Sequence, residues 1–179
     1  KAGYDVLFAE FGLNYSRQLN VALCRGAAIA QNKDWGIMIT HTYTEFPYLE
    51  SGEALYDDMV YAYENGAKYI MIFDTNKNYT HSTITMEHLQ ALKQFTEYAH
   101  KNPRNSEQTS ERTAFVLPKD FAYGFRGPVD KIWGLWEADA FSYDISLQLG
   151  SLLQQYGNNL DIIYDDEVDY SSLGYGKFI

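Results

Sequence analysis

Three short runs in the first hundred residues, Val6 to Ala9, Ile37 to Ile39 and Tyr69 to Phe73, are apolar without polar alternation. A strand with one wet face alternates, so such runs predict strands of a parallel sheet covered by helices on both faces. Segments with helical spacing separate them. The first begins at Ser16, whose hydroxyl suits an N-cap, and carries Leu19, Leu23, Ala27 and Ala30 on one face before Asn32-Lys33-Asp34. Its small residues Ala22, Gly26, Ala27 and Ala28 would let it lie close against a sheet. The second is capped by Ser51, carries Leu55, Met59 and Ala62, and stops at the helix-ending pair Asn65-Gly66. The third starts near Thr85 with Leu89, Leu92, Phe95 or Thr96, and Ala99 inward.

Each strand ends in a polar residue: Glu10, His41 and Asp74, spaced by 31 and 33 residues. Three βα units of similar length over residues 1–100 predict an α/β fold, with (β/α) units of a TIM-barrel type forming a partial barrel, or else a doubly wound sheet. Residues 101–112 hold no apolar side chain beyond one proline and predict a linker. Another, smaller α/β unit occupies 113–179. It comprises a strand Thr113 to Leu117, a long loop with Phe121, Tyr123, Phe125, Trp133 and Trp136, a helix with Phe141, Ile145, Leu149, Leu152 and Tyr156, Gly157 as its cap, and a strand Leu160 to Tyr164. So aromatic a loop is expected to pack against a neighbouring domain. Lys1-Ala2-Gly3 leads straight into a buried strand, and Leu173 to Ile179 reads as the start of another. The chain is therefore expected to be a piece of a longer protein, the second unit incomplete.

Composition narrows the function. With 46% hydrophobic and 21% charged residues the chain is globular, and a net charge of −10 with scattered Lys and Arg argues against nucleic acid and anionic membrane surfaces as partners. No apolar run approaches the ~20 residues of a membrane span. The single cysteine, Cys24, sits mid-helix among small apolar residues and reads as a buried inert thiol. Sixteen tyrosines and the sequons Asn14-Tyr15-Ser16 and Asn78-Tyr79-Thr80 point to an extracellular or cell-surface setting, with a cytoplasmic one left open.

Phosphate-cradle, dinucleotide, zinc-helix and nucleophile-elbow signatures are all missing, so neither a cofactor nor a metal is called for. The acidic run Asp165-Asp166-Glu167 with Asp169 lacks the spacing of a calcium loop and reads as solvated. What remains is acids and aromatics at strand ends, where parallel sheets carry their chemistry. Glu10 follows a buried run, and a carboxylate there costs several kcal/mol to bury unless paired or used. It is the candidate catalytic carboxylate; its structural alternative is a bond to loop N–H groups or to Arg17. His41 and Tyr43, on one side of the second strand end, suit hydrogen bonds to a polar ligand or to Glu10. Asp74 suits a sugar hydroxyl, or ordinary turn chemistry. In the loop after the second strand, Tyr43, Phe46 and Tyr48 offer flat faces for sugar rings, and Glu45 and Glu50 add carboxylates, Glu50 also favouring the dipole of the next helix.

Glu10-Phe11-Gly12, then Lys33 to Gly36 leading into Ile37-Met38-Ile39-Thr40-His41-Thr42-Tyr43, then Asn65-Gly66-Ala67-Lys68-Tyr69-Ile70-Met71-Ile72-Phe73-Asp74, resemble the last three βα units of a glycoside-hydrolase-type (β/α)8 barrel. The segment beyond the linker resembles the Rossmann-like, glutamine-amidotransferase-related domain of some β-galactosidase-like enzymes. The resemblance implies hydrolysis of glycosidic bonds by paired carboxylates, about 5–5.5 Å apart for retention or about 6.5–9.5 Å for inversion. Glu10 would be one of them, as nucleophile or acid/base, with His41, Tyr43, Glu45, Tyr48, Glu50 and Asp74 binding substrate. No Asn-Glu pair stands at a strand end, so the second carboxylate would lie upstream. The alternative is a non-catalytic sugar-binding or cell-surface structural relative; a third reading is a self-contained doubly wound domain with a metabolic substrate. Partners implied are a carbohydrate ligand, and a second copy through the second domain or the rest of a longer chain.

Overall fold

The computed structural model describes residues 3–74, 78, 80–104, 111–121, 128–129, 131, 135, 137–166 and 169–179. The chain forms two compact units, Lys1–Tyr15 with Lys33–Glu107, and Ser16–Asn32 with Gln108–Ile179. Both are α/β, each built on a three-stranded parallel sheet.

In the first unit, strands β1 (Val6–Phe11), β2 (Asp34–Thr40) and β3 (Tyr69–Phe73) lie in the order β1-β2-β3, parallel, with Glu10 opposite Met38 and Thr40 opposite Phe73. Phe11, Trp35, Ile37 and Ile39 fill the buried face, where the Phe11 ring meets Tyr61 of α2 (Gly52–Glu64). Ser51 caps α2, its Oγ accepting the Ala54 N–H at 3.1 Å, and the helix gives way at Asn65 to Gly66, whose φ of +94° suits a residue without Cβ. Leu55, Met59 and Ala62 point inward as the spacing predicts. The third helix of the sequence is α3 (Met86–Lys101). Its start lies so close to that of α2 that a Cβ on Gly52 would stand 2.7 Å from the Glu87 carbonyl oxygen. Tyr63 and Tyr98 stack edge to face between the two helices.

The structure corrects the first unit in three respects. The sheet is not covered on both faces: residues of even number on β1 and β2 and odd number on β3 share one face by register, and there Phe8, Tyr69, Met71 and Phe73 are 40–46% exposed. The apolar runs are therefore continuous without being doubly buried. On α3 Leu92, Phe95 and Ala99 are partly buried as the spacing predicts, Phe95 meeting Tyr63 of α2, but Leu89 is half exposed and the fully buried residues are His88 and Ala91. And the helix between β1 and β2, here α1 (Arg17–Ala30), belongs to the second unit, so residues 1–100 are not one domain.

The second unit has strand order β5-β4-β6, with β4 (Thr113–Leu117) between β5 (Leu160–Tyr164) and the short β6 (Lys177–Phe178), and helix α4 (Ser142–Tyr156) between β4 and β5. Its core joins Leu19 and Ala22 of α1 to Phe115, Leu117, Leu149, Leu152, Leu160 and Ile162. The small residues of α1 do bring it against a strand, though of this sheet: a Cβ on Gly26 would lie 2.1 Å from the Ile162 carbonyl oxygen. Ser16 caps the helix as expected, accepting the Leu19 N–H at 3.2 Å, and Cys24 is buried. Asp169 is used locally, accepting the Ser171 N–H at 3.1 Å, and Asp165 accepts the Tyr170 hydroxyl. Tyr123, Phe125, Trp133, Trp136 and Glu167 lie outside the described residues.

Candidate functional site

Two groups of side chains gather at the C-terminal ends of β1, β2 and β3, one on the open face and one partly buried, centred on His41. On the open face, Thr40 Oγ1 donates to Glu10 Oε1 at 2.7 Å. Period two and the parallel register make these neighbours, since Glu10 stands opposite Met38, two residues before Thr40. Phe8, one step down the same face, meets Tyr69 with ring centroids 6.3 Å apart, and its ring lies over Gly36, where a Cβ would come within 2.6 Å of it. Glycine at 36 thus leaves room for the Phe8 ring on this face. Among the strand residues of that face the one other acid is Asp34, at the opposite end and bonded to Lys68 at 2.6 Å.

The second group starts at His41, just past β2. It is wholly buried, with Nε2 3.0 Å from Thr83 Oγ1. Thr83 in turn donates to Asp74 Oδ1 through its hydroxyl at 3.2 Å and its backbone N–H at 2.7 Å, and Ser82 Oγ donates to Asp74 Oδ2 at 2.6 Å. These donors, Ser82 foremost, hold the Asp74 carboxyl below the usual carboxylate range. The His41 ring meets His88 edge to face at 5.2 Å, and among the described residues its Nδ1 has no hydrogen-bond partner. Burial, and then the neighbouring His88, hold the His41 pKa below the ordinary value of 6.5, against the opposing pull of Asp74 and the Phe73 backbone.

His88 opens α3. Its Nδ1 accepts the Thr85 N–H at 3.1 Å while Thr85 caps the helix in return, and its Nε2 donates to the Glu50 carbonyl at 2.7 Å. Glu50 is buried, its Oε2 accepting the Tyr43 hydroxyl at 2.8 Å.

Of the seven residues singled out from the sequence, His41, Tyr43, Glu50 and Asp74 therefore enter one partly buried network, His41 and Glu50 at its buried end and Asp74 near the surface, and Glu10 stands on the adjoining open face. Glu45 and Tyr48 do not join it. They lie exposed at the tip of the 42–50 loop, where the Glu45 carbonyl accepts the Tyr48 N–H at 2.7 Å and the Tyr48 ring meets Phe46 at 6.4 Å. Glu50 does more than face a helix dipole, since its carboxylate turns inward to Tyr43. Sequence reasoning missed Thr40, Thr83 and His88. The signal for His88 was its place three residues after Thr85, where a side-chain acceptor completes a capping box.

Chemically, the partly buried network holds the loops after β2 and β3, and the open face offers one carboxylate and exposed aromatic side chains. Among the described residues, no group of three or more His, Cys, Asp or Glu side chains is arranged to hold a metal ion. None of the described helices is long and apolar enough to cross a membrane. No protein family, curated protein or solved structure gives a significant match to the chain.

Proposed function

We propose that this chain is part of a carbohydrate-active, glycoside-hydrolase-like protein whose first unit is a section of a (β/α)8 barrel and whose second is a small Rossmann-like domain. The observation that supports it most is the open face of the first sheet. Phe8, Tyr69 and Phe73 share the exposed strand face that carries Glu10, and Phe73 stands opposite Thr40, whose hydroxyl donates to the Glu10 carboxylate at the C-terminal ends of β1 and β2. A sugar ring is amphipathic: its C–H face suits aromatic surface while its hydroxyls suit a carboxylate. A strand face that is apolar yet open is also what a barrel section presents toward its interior, with α2 on the outer side.

In this reading Glu10 acts on the glycosidic bond as nucleophile or acid/base, and Thr40 holds its carboxylate in place. His41, Tyr43, Glu50 and Asp74 shape the rim by fixing its loops, and Glu45 and Tyr48 reach toward substrate from the exposed tip. Setting and ligand go together: an extracellular or cell-surface protein acting on a glycan, with self-association or the rest of a longer chain as its protein partner.

A second reading, a non-catalytic sugar-binding relative, is favoured by one specific observation. Glu10 has no second carboxylate beside it on the described strand face, and retention or inversion needs a pair. Both readings are tested with the full-length protein on a panel of polysaccharides. Glu10→Gln lowers turnover about 100- to 10,000-fold while binding persists if Glu10 is catalytic. Binding without turnover by the wild type selects the second reading, and neither binding nor turnover removes both.

A further inference from the structure

The loop between β2 and α2 is a hairpin. Thr42 bridges Leu49 in antiparallel fashion, and the Tyr43 N–H donates to the Tyr48 carbonyl at 2.8 Å. Two histidines hold its base. The Glu50 N–H donates to the His41 carbonyl at 2.8 Å, His88 Nε2 donates to the Glu50 carbonyl at 2.7 Å, and the two rings meet edge to face. Both rings are buried without any exposure.

Their protonation states are fixed by what they touch. His88 Nε2 faces a carbonyl and carries the proton, so Nδ1 is the lone pair that accepts from Thr85. His41 Nε2 faces a Thr83 hydroxyl already given to Asp74, so it donates to that oxygen and leaves Nδ1 as a buried lone pair. A second proton on His41 would place a charge on a wholly buried ring edge-on to another imidazole, a cost that Asp74 and the Phe73 backbone offset only in part. The charged or titratable groups facing His41 are His88 from α3 and Asp74 from the end of β3, the latter reached through Thr83. Glu50 meets it through its backbone, its carboxylate holding the Tyr43 hydroxyl.

We propose that His41 and His88 form an acid-release clasp: protonation of His41 expels its ring from beside His88 and frees the 42–50 hairpin from the start of α3. His41 is the sensor, and His88 is the arm that grips the hairpin through Glu50. The hairpin carries Tyr43, Glu45, Phe46 and Tyr48, so its order, and access to the strand ends beside it, become functions of pH. This holds whatever ligand the strand ends take. Release develops as the pH falls below the ordinary histidine value of 6.5.

The test is amide hydrogen exchange of residues 42–50 in the wild-type protein at about pH 7.5 and about pH 5, the range in which histidine changes charge, corrected for the intrinsic pH dependence of exchange. Protection of the hairpin falls several-fold on acidification while α2 keeps its own, and in His41→Asn the hairpin responds equally at both pH values. Hairpin protection that does not change with pH in the wild type, or that still falls in a folded His41→Asn protein, overturns the proposal. Where His41→Asn does not fold, proton NMR of the wild type decides: the His41 ring and the hairpin amides titrate with one midpoint, and separate midpoints overturn it.

Discussion

Arg25 Nε stands 2.6 Å from Asp161 Oδ1 across 136 positions of sequence, both side chains buried. The guanidinium also donates to the carbonyls of Asn158 at 2.6 Å and Leu160 at 3.3 Å, so it binds α1 to backbone at the start of β5 as well as to a side chain. Arg112 approaches from the other side, its Nη1 4.0 Å from Asp161 Oδ2. Burial pushes the Asp161 carboxyl up from its ordinary value, and Arg25 beside it works against that rise. Removing one partner strands a buried charge. Asp161→Ala is expected to lower the unfolding free energy by about 3–5 kcal/mol in urea titrations, and replacing both residues by apolar ones of similar volume to cost much less. A loss from Asp161→Ala no larger than that of the double variant would show that the pair does not hold α1 in place.

The same attachment has a steric half. A methyl group on Gly26 has no flexible neighbour to displace, because its three nearest atoms are the backbone O, C and N of Ile162, at 2.1, 2.8 and 2.9 Å. Gly26→Ala is expected to cost about 3 kcal/mol despite the better helix propensity of alanine, as overpacking outweighs the ~1 kcal/mol gained in the helix. Thermal melts should show a lower midpoint. An unchanged or raised midpoint would mean that α1 does not sit against β5 as described.

These two contacts also explain what the sequence could and could not disclose. Strand and helix positions were legible because hydrophobic runs and caps are local: Ser16, Ser51 and Asn65-Gly66 mark the helix ends they appeared to mark. The destination of α1 was not. A helix between two parallel strands is expected to cover their own sheet, and nothing local says that Arg25 will meet Asp161, more than a hundred residues away. The open sheet face was hidden for a related reason. Phe8, Met71 and Phe73 are apolar whether buried or exposed, so an apolar run reports strand character without reporting what covers it. At the site, His41 and Asp74 were legible as strand-end residues, while their connection through Thr83 depends on a loop whose path is set by tertiary structure.

Asp74 gives a prediction with a definite sign. Its carboxyl is held below the unfolded value of 3.8, chiefly by the Ser82 hydroxyl, so the folded state binds fewer protons than the unfolded one as the pH passes through that range. The stability it contributes is therefore present above 3.8 and is lost as the pH falls through the lower, folded-state value. Asp74→Asn is expected to be less stable than wild type at neutral pH, and the gap between their melting midpoints to close in strong acid. His41 titrates with a distinct acid range: its folded pKa lies below 6.5, so stability present above 6.5 declines as the pH falls beneath it. A gap between wild type and Asp74→Asn that stays constant from neutral to strongly acidic pH would show that the Ser82 and Thr83 donors do not favour the ionised carboxylate.

Thr40 and Glu10 separate a structural bond from a functional one. The Thr40 hydroxyl donates to Glu10 at 2.7 Å on an exposed face, where water replaces a lost partner, so Thr40→Val, which keeps the side-chain shape, is expected to change stability by no more than about 0.5 kcal/mol. If Glu10 acts on a glycan, the same substitution removes one of the hydrogen bonds that orient its carboxylate. A bond of about 1.4 kcal/mol then appears as roughly a tenfold loss of kcat/KM, expressed mainly in kcat. Thr40→Ser, which restores the donor, should recover most of the loss, and Thr40→Val in a Glu10→Gln background should cost nothing further. Equal stability and equal kcat/KM in Thr40→Val would leave Glu10 without the positioning partner that the open face gives it. A stability loss matching the activity loss would instead make the bond part of the sheet and not of a site.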